Sequence, residues 1–530
     1  MNTDEMMTLS RGTKYTRFIY SRSIMPLTVS ILSKIPSAGY LLLLIIGIYC
    51  WIFVGLTWKQ QSNFGTFGFD MGIYDQGIWL LSRFHDPFVT VRGLNFFGHH
   101  VNLITLLFVP FYWLGAGPHF LYLIETLTLA AGAIPIWLLA KDRFGSTWAA
   151  LIPAGSYLLY SSVQWINWWH FHPDALIITP LLFAWWFQSR RAWLPFFLCI
   201  CIALSCKEDA AIAVLMIGLL IFMKAVTEKN RSLSAITKEP CNSVAQISSY
   251  AKNGAATMFI AIGWWYISTE LIIPWANMGS GPFYANLFPN FGSDVPSVIA
   301  NILRHPERLW NILILDDRIN YYWKLFAPVA FLALLSPEIL IGIPQLVINS
   351  ISAHGYTHDF KYHYTAIIIA AVFISLTEAI GRVGKFYRPG MWLLLIFLGI
   401  SSGYANIQWS PSPLGKSYRS GIWAQPHKKH EALKVALQII PDDAGVTASY
   451  YIVPHLTHRR IIYEFPNPFR VANWGIRGEN PGNPIDVDYL VIDTSLTGNN
   501  NLLYKDLIGS KGKFELIFSD RGIEVAKRRD

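Results

Sequence analysis

Long uncharged apolar runs interrupt this chain again and again, and no other feature limits its fold as much. They fall at about 38–57, 119–140, 147–162, 174–188, 193–206, 210–225, 254–275, 322–336, 338–353, 364–381 and 390–406. A helix that crosses a bilayer needs roughly 20 apolar residues, and fewer where the bilayer thins. A water-soluble domain can bury one or two such runs. About eleven of them need lipid, where each segment satisfies its own backbone hydrogen bonds as a helix. The expected fold is therefore mainly α, a polytopic transmembrane helical bundle. The stretch 101–117 is apolar but carries Pro110 and ends Gly115-Ala116-Gly117-Pro118. It reads as a helix lying in the interface or dipping into the membrane.

The net charge of +9 would suggest a nucleic-acid partner in a soluble protein. Here the basic residues sit in short loops between spans, so topology explains them and no nucleic acid is called for. Lys141 and Arg143, Arg190 and Arg191, Lys224 through Lys252, Arg382 through Arg388 and the basic residues 1–37 all fall on one side. The positive-inside rule makes that side the cytoplasm of a multi-pass cell-membrane protein. Ser336-Pro337-Glu338 splits two runs, and joining them into one span would flip everything downstream. No signal-peptide cleavage site follows the first run, which reads as a retained anchor. The cysteines are Cys50, Cys199, Cys201, Cys206 and Cys241. Their spacing suggests neither a disulfide framework nor a metal site.

The opposite face receives 58–118, 163–173, 207–209, 276–321, 354–363 and the tail. Three divisions result: a cytoplasmic N-terminus (1–37), a transmembrane domain (38–406) whose outer loop 58–118 holds interfacial helices, and a soluble extracytoplasmic α/β domain (407–530). The tail has a helical stretch at His430–Ile440, a turn at Pro441–Gly445, and short alternating strands. It is expected to fold without the membrane part.

The outer face also collects the unusual polar residues. Phe69-Asp70-Met71-Gly72-Ile73-Tyr74-Asp75-Gln76 opens an interfacial helix, with Asp70 either its N-cap or a reactive carboxylate. Gly98-His99-His100 precedes the apolar stretch at 101. Adjacent histidines diverge on a helix, which disfavours their sharing a metal ion. His170, His172 and Asp174 cluster before a span, Lys207-Glu208-Asp209 fills a tight turn, and His358 and Asp359 lie in a further histidine-rich loop. Several such loops on one side predict a polar cavity at the outer surface. No phosphate-cradling Gly-Lys loop, dinucleotide fingerprint or nucleophile elbow is present.

The blocks Phe69–Gln76, Gly98-His99-His100, His172-Pro173-Asp174 and Lys207-Glu208-Asp209 resemble a prokaryotic membrane-protein family known as domain of unknown function 2079, over roughly 40–410. That family shows Gly-Asp-His where this chain has Gly98-His99-His100, which leaves His100 as the matching histidine. The family is in turn similar to the GT-C glycosyltransferases, which take sugars from polyprenyl-phosphate carriers. The resemblance implies a membrane glycosyltransferase acting at the outer face, with membrane lipids and a polyprenyl-phosphate sugar as partners. It implies Asp70 as the catalytic carboxylate with Asp75 as its understudy, Lys207 as the cation for the departing phosphate, and Gln76, His100, His172, Asp174, Glu208, His358 and Asp359 as substrate-binding residues. No cofactor is required by any motif, and a divalent metal stays open. The alternatives are a transporter or flippase of a lipid-linked or polar solute, and a non-catalytic membrane assembly protein. A transporter would place charges mid-span and show paired half-repeats.

Overall fold

The computed structural model of the protein describes residues 36–234, 240–278, 287–292, 294–472 and 479–529. The basic N-terminal segment 1–35 lies outside the described residues.

Among the described residues, six helices are long and apolar enough to cross a membrane. They are Ser37–Ser62, Pro118–Phe144, Ala210–Lys229, Gln246–Ala276, His363–Phe386 and Arg388–Trp409. Each coincides with one of the apolar runs. The remaining runs are helical in shorter pieces, including Leu151–Leu158, Ile178–Ser189 and Trp193–Cys206. The two runs flanking Ser336-Pro337-Glu338 are neither one span nor two continuous ones. Helix Asp316–Phe326 gives way to successive 3-10 turns before Ile343–Ile351. Left-handed backbone at Ala330 and Phe331 (φ 51° and 58°) turns the chain there. Irregular backbone of this kind is tolerated at membrane depth only where protein surrounds it. That holds here, because the 3-10 turns pack along His363–Phe386.

Burial identifies the centre of the bundle. The apolar window of His363–Phe386 is 89% buried in protein, against 22% for Ser37–Ser62, where Leu41, Leu43 and Leu44 are exposed. At one end of the bundle Arg143 forms a bidentate pair with Glu378 (2.7 Å each), Arg190 pairs with Asp142, and Arg388 donates to the Phe144 carbonyl. The loops rich in histidine and acid lie at the other end. The stretch 101–117 forms a 3-10 turn, Leu103–Phe108, and a short helix, Val109–Trp113, with Leu107 and Leu114 exposed.

The outer loop after Ser37–Ser62 contains a π-turn (Gly68–Gly72), helix Ile73–Ser82, and a hairpin of β1 (Phe88–Val89) and β2 (Leu94–Asn95). The tail carries helix Lys429–Ile439 and a five-stranded sheet in the order β4-β3-β5-β7-β6. Its strands are β3 (Val446–Ala448), β4 (Ile462–Glu464), β5 (Tyr489–Asp493), β6 (Phe514–Asp520) and β7 (Ile523–Arg528). β4, β3 and β5 run parallel, whereas β7 and β6 are antiparallel additions.

Alternation along β5 shows how the tail sits. Leu490 and Ile492 face a small core of the tail's own with Tyr504 and Phe514. Tyr489 and Val491 face the other way, into the core that also holds Phe64, Met71 and Val91 of the outer loop. The tail therefore shares one of its two faces with the membrane domain.

Candidate functional site

Five outer segments meet around a cavity of about 490 Å³. Its polar end carries Asp70, His100, His172, Asp174 and Lys207, five of the residues singled out in the sequence. Much of the remaining lining is apolar, including Ile212, Trp265, Val298, Ile302, Val347 and Ile348.

Asp70 rides on the π-turn just ahead of helix Ile73–Ser82. Its side chain makes no capping bond to the helix, so it is not an N-cap. Instead it faces two imidazoles, with His170 Nδ1 at 3.3 Å and His172 Nε2 at 3.5 Å. His172 Nδ1 lies 2.8 Å from the His170 carbonyl. Both nitrogens of His172 thus face oxygen acceptors, an arrangement that an imidazolium satisfies fully. Burial would raise the Asp70 carboxyl, but the hydrogen bonds from His170 and His172 outweigh it and hold the group well below the usual carboxylate range. Burial lowers His172, and the Asp70 carboxylate more than restores it, so its basicity is raised. The His172 ring also stacks on His363 at 3.7 Å.

Lys207 is not a lone cation. Its Nζ lies 2.8 Å from Asp174 and 3.3 Å from Asp209. Burial opposes the charge, yet Asp174 and Asp209 keep the ammonium firmly protonated, and Lys207 in turn holds Asp174 well below the carboxylate range. Burial, with the Asp174 and Glu208 charges, pushes Asp209 up to about 6 against the pull of Lys207.

The other five residues singled out in the sequence stand elsewhere. Glu208 lies behind the cavity, accepting the Val101 N–H at 2.9 Å and facing His100 Nδ1 at 2.7 Å, and so fixes the His100 ring. Asp75 is fully buried against the tail, receiving the Tyr112 hydroxyl (2.6 Å) and the Thr457 hydroxyl, with His458 Nε2 at 3.2 Å. Gln76 Nε2 donates to Thr90 Oγ1 (2.9 Å) and to the Arg459 carbonyl (3.3 Å). Asp75 and Gln76 join the outer loop to the tail and do not line the cavity. His358 and Asp359 line a second cavity, because the His354–His363 loop divides between the two.

Three features escaped the sequence reading. Arg92 lines the first cavity and is ion-paired with Glu479 of the tail. Glu464, on β4, is brought against the start of the Asp70 turn. A Cβ on Gly68 would lie 3.1 Å from Glu464 Oε2, which has no hydrogen-bond partner among the described residues. Gly98 must be glycine, since a Cβ there would collide with Asn277, whose amide donates to the Gly98 carbonyl. None of these three contacts is local in sequence, so no spacing could signal them. Among the described residues, no group of three or more His, Cys, Asp or Glu is placed to hold a metal ion.

The chain belongs to the family described as predicted membrane protein (DUF2079), whose pattern matches residues 61–515. The match extends past 410 and takes in most of the tail, in keeping with the face that the tail shares with the membrane domain. No curated protein matches in sequence. Among solved structures the chain is similar to ArnT from Cupriavidus metallidurans in the apo state, with TM-score 0.53, 14% identity, and coverage of 93% of this chain and 98% of that one. The same protein bound to undecaprenyl phosphate gives 0.51, 11%, 93% and 98%. The archaeal oligosaccharyltransferase AglB from Archaeoglobus fulgidus, in complex with an inhibitory peptide and a dolichol-phosphate, gives 0.40, 12%, 93% and 74%. The likeness to ArnT shows that the two chains share a fold.

Proposed function

We propose that the protein transfers a sugar from a polyprenyl-phosphate donor to an acceptor at the outer face of the cell membrane. The observation that carries this reading is Asp70, held ionised between two imidazoles in a cavity whose lining combines charged groups with a large apolar surface. A lipid-linked sugar has this same combination, with an apolar chain joined through phosphate to a polar ring. ArnT, of the same fold, binds undecaprenyl phosphate, which favours a polyprenyl carrier for this chain as well.

In the step proposed, an acceptor hydroxyl oxygen bonds to the anomeric carbon as the bond from that carbon to the phosphate oxygen breaks. The polyprenyl phosphate leaves with the bonding pair. Asp70 stays ionised throughout, so it opposes the positive charge that builds at the anomeric carbon and accepts a hydrogen bond from the acceptor hydroxyl. The acceptor's proton passes to an oxygen of the departing polyprenyl phosphate, which becomes a monoester base, so Asp70 and His172 keep their charges. Arg92 and Lys207, each paired with a carboxylate, are the cations at the cavity that can donate N–H bonds to the phosphate oxygens.

The test uses purified protein in nanodiscs with radiolabelled polyprenyl-phosphate sugars and a membrane-extract acceptor. Asp70→Asn should lower transfer by roughly a hundredfold or more in protein that still folds and reconstitutes, the scale of a lost catalytic carboxylate. Undiminished transfer by Asp70→Asn, or no transfer from any polyprenyl-phosphate sugar by the wild type, would refute the reading.

A further inference from the structure

The second cavity, also about 490 Å³, lies between helix Asp316–Phe326, the end of helix Arg388–Trp409 and the His354–His363 loop. Two lysines face it. Lys324 Nζ sits 4.5 Å from the centre of the Trp409 ring and 5.4 Å from that of Phe360. Lys361 Nζ sits 5.0 Å from the centre of the Trp165 ring and 6.0 Å from that of Phe360. Trp165 Nε1 donates to the Trp409 carbonyl at 2.6 Å, which locks the two aromatic supports together.

Among the described residues neither ammonium forms an ion pair. Asp317 shares the cavity but is turned to Arg318 and His358. Asp359 accepts the backbone N–H of Lys361 at 3.1 Å. Aromatic faces hold an ammonium in place without cancelling its charge, as a carboxylate would. Two like charges flanking Phe360 also repel. Burial and the Lys361 charge lower the basicity of Lys324, and the Asp359 charge offsets only part of this. A bound anion relieves that repulsion, and a dianion relieves it at both lysines.

We infer that the second cavity is a binding site for a phosphate monoester, either a free phosphorylated small molecule or a lipid headgroup. A monoester carries about −1.5 to −2 at neutral pH and so matches two ammonium groups, whereas a diester carries a single charge. The volume exceeds that of a phosphate, leaving room for the organic part, and Asn320 and Gln408 on the walls can hydrogen-bond its hydroxyls. The site stands apart from Asp70 and does not rest on the transfer reaction proposed above.

The test is isothermal titration of the full-length protein in phosphatidylcholine nanodiscs with glucose 1-phosphate, inorganic phosphate and glucose. Glucose 1-phosphate should bind saturably and glucose should not. Lys324→Gln/Lys361→Gln should weaken glucose 1-phosphate by roughly tenfold or more, the scale of lost charge-assisted hydrogen bonds. Lys324→Arg/Lys361→Arg should retain binding, and Asp70→Asn should leave it unchanged even if Asp70 proves idle in transfer. Phosphatidic acid in the nanodisc that competes with glucose 1-phosphate would identify a lipid headgroup as the source, and lack of competition a free phosphate. Both outcomes support the site. Glucose binding as well as glucose 1-phosphate, an unaltered affinity in the doubly neutral variant, or no heat with either phosphate in the wild type would overturn it.

Discussion

His458 Nε2 lies 3.2 Å from the buried carboxylate of Asp75, which ties the tail to the first outer loop across most of the chain's length. Two hydroxyls, of Tyr112 and Thr457, also donate to Asp75. A carboxylate buried among these three partners does not reach the cavity. Asp75 is a latch, and the acidic pair of the Phe69–Gln76 block divides into one carboxylate at the cavity and one at the tail.

Asp75→Asn keeps the shape but removes the charge and turns an amide N–H₂ toward groups that are themselves donors. The expected cost is about 1.5–3 kcal/mol, the range for hydrogen bonds to a charged group. The loss should fall on tail docking. Limited proteolysis between 410 and 428 should therefore cut the variant well before the membrane part unfolds, while Asp70→Asn stays protected. Equal protection of wild type and Asp75→Asn would remove the latch.

Gly77 lies on helix Ile73–Ser82 where it meets Phe96, and a Cβ there would fall inside the Phe96 ring. Phe96 is buried and has little room to retreat. Gly77→Ala should cost about 1–3 kcal/mol, as overpacking does. Shortening the partner in Gly77→Ala/Phe96→Leu should recover part of the loss. Thermal unfolding of the two variants reads this directly, and a Gly77→Ala midpoint equal to wild type would refute the packing argument.

Much of this architecture was legible because hydrophobic runs and basic loops are local signals. The six long helices lie where the apolar runs lie. Asp70, His100, His172, Asp174 and Lys207 could be grouped because alternating spans put their loops on one side. Residues 322–353 were misread, since an apolar run looks the same whether it forms one helix or a series of 3-10 turns buried in protein. The roles of Asp75 and Gln76 were hidden for another reason. Their partners Thr457, His458 and Arg459 lie some 380 residues away, and no periodicity carries information over that distance. His358 and Asp359 share a short loop with His354 and His363, yet the loop wall sends them to a different cavity.

The placement of the tail against the outer loop, with the Arg143 and Arg190 cluster at the opposite end of the bundle, sets a topology test. With the basic end in the cytoplasm, the tail lies outside. A cysteine introduced at Asn500 in a cysteine-free background should react with a membrane-impermeant maleimide in intact cells. One introduced at Ser232 should react only after permeabilisation. The reverse pattern would invert the orientation and place the proposed transfer on the cytoplasmic side.

Glu464 gives the last prediction, and its sign follows from its surroundings. Its Oε2 is buried beside the Asp70 turn without a hydrogen-bond partner among the described residues. Burial first, and then the negative charge of Asp70, push its carboxyl up to about 7. An unfolded chain ionises this group near its ordinary value of about 4.3. Between these two values the unfolded state has lost the proton and the folded state still holds it. Stability from the neutral group is therefore complete below about pH 4.3, declines as the pH rises through about 7, and falls no further above that. Glu464→Gln stays neutral at every pH and removes this slope. The drop in thermal midpoint from pH 5 to pH 8 should thus be smaller in Glu464→Gln than in wild type. Asp70→Asn should also reduce the drop, by removing one of the two causes while leaving the burial. If wild type and Glu464→Gln lose the same number of degrees between pH 5 and pH 8, Glu464 does not titrate in that window, and its carboxyl is not coupled to Asp70.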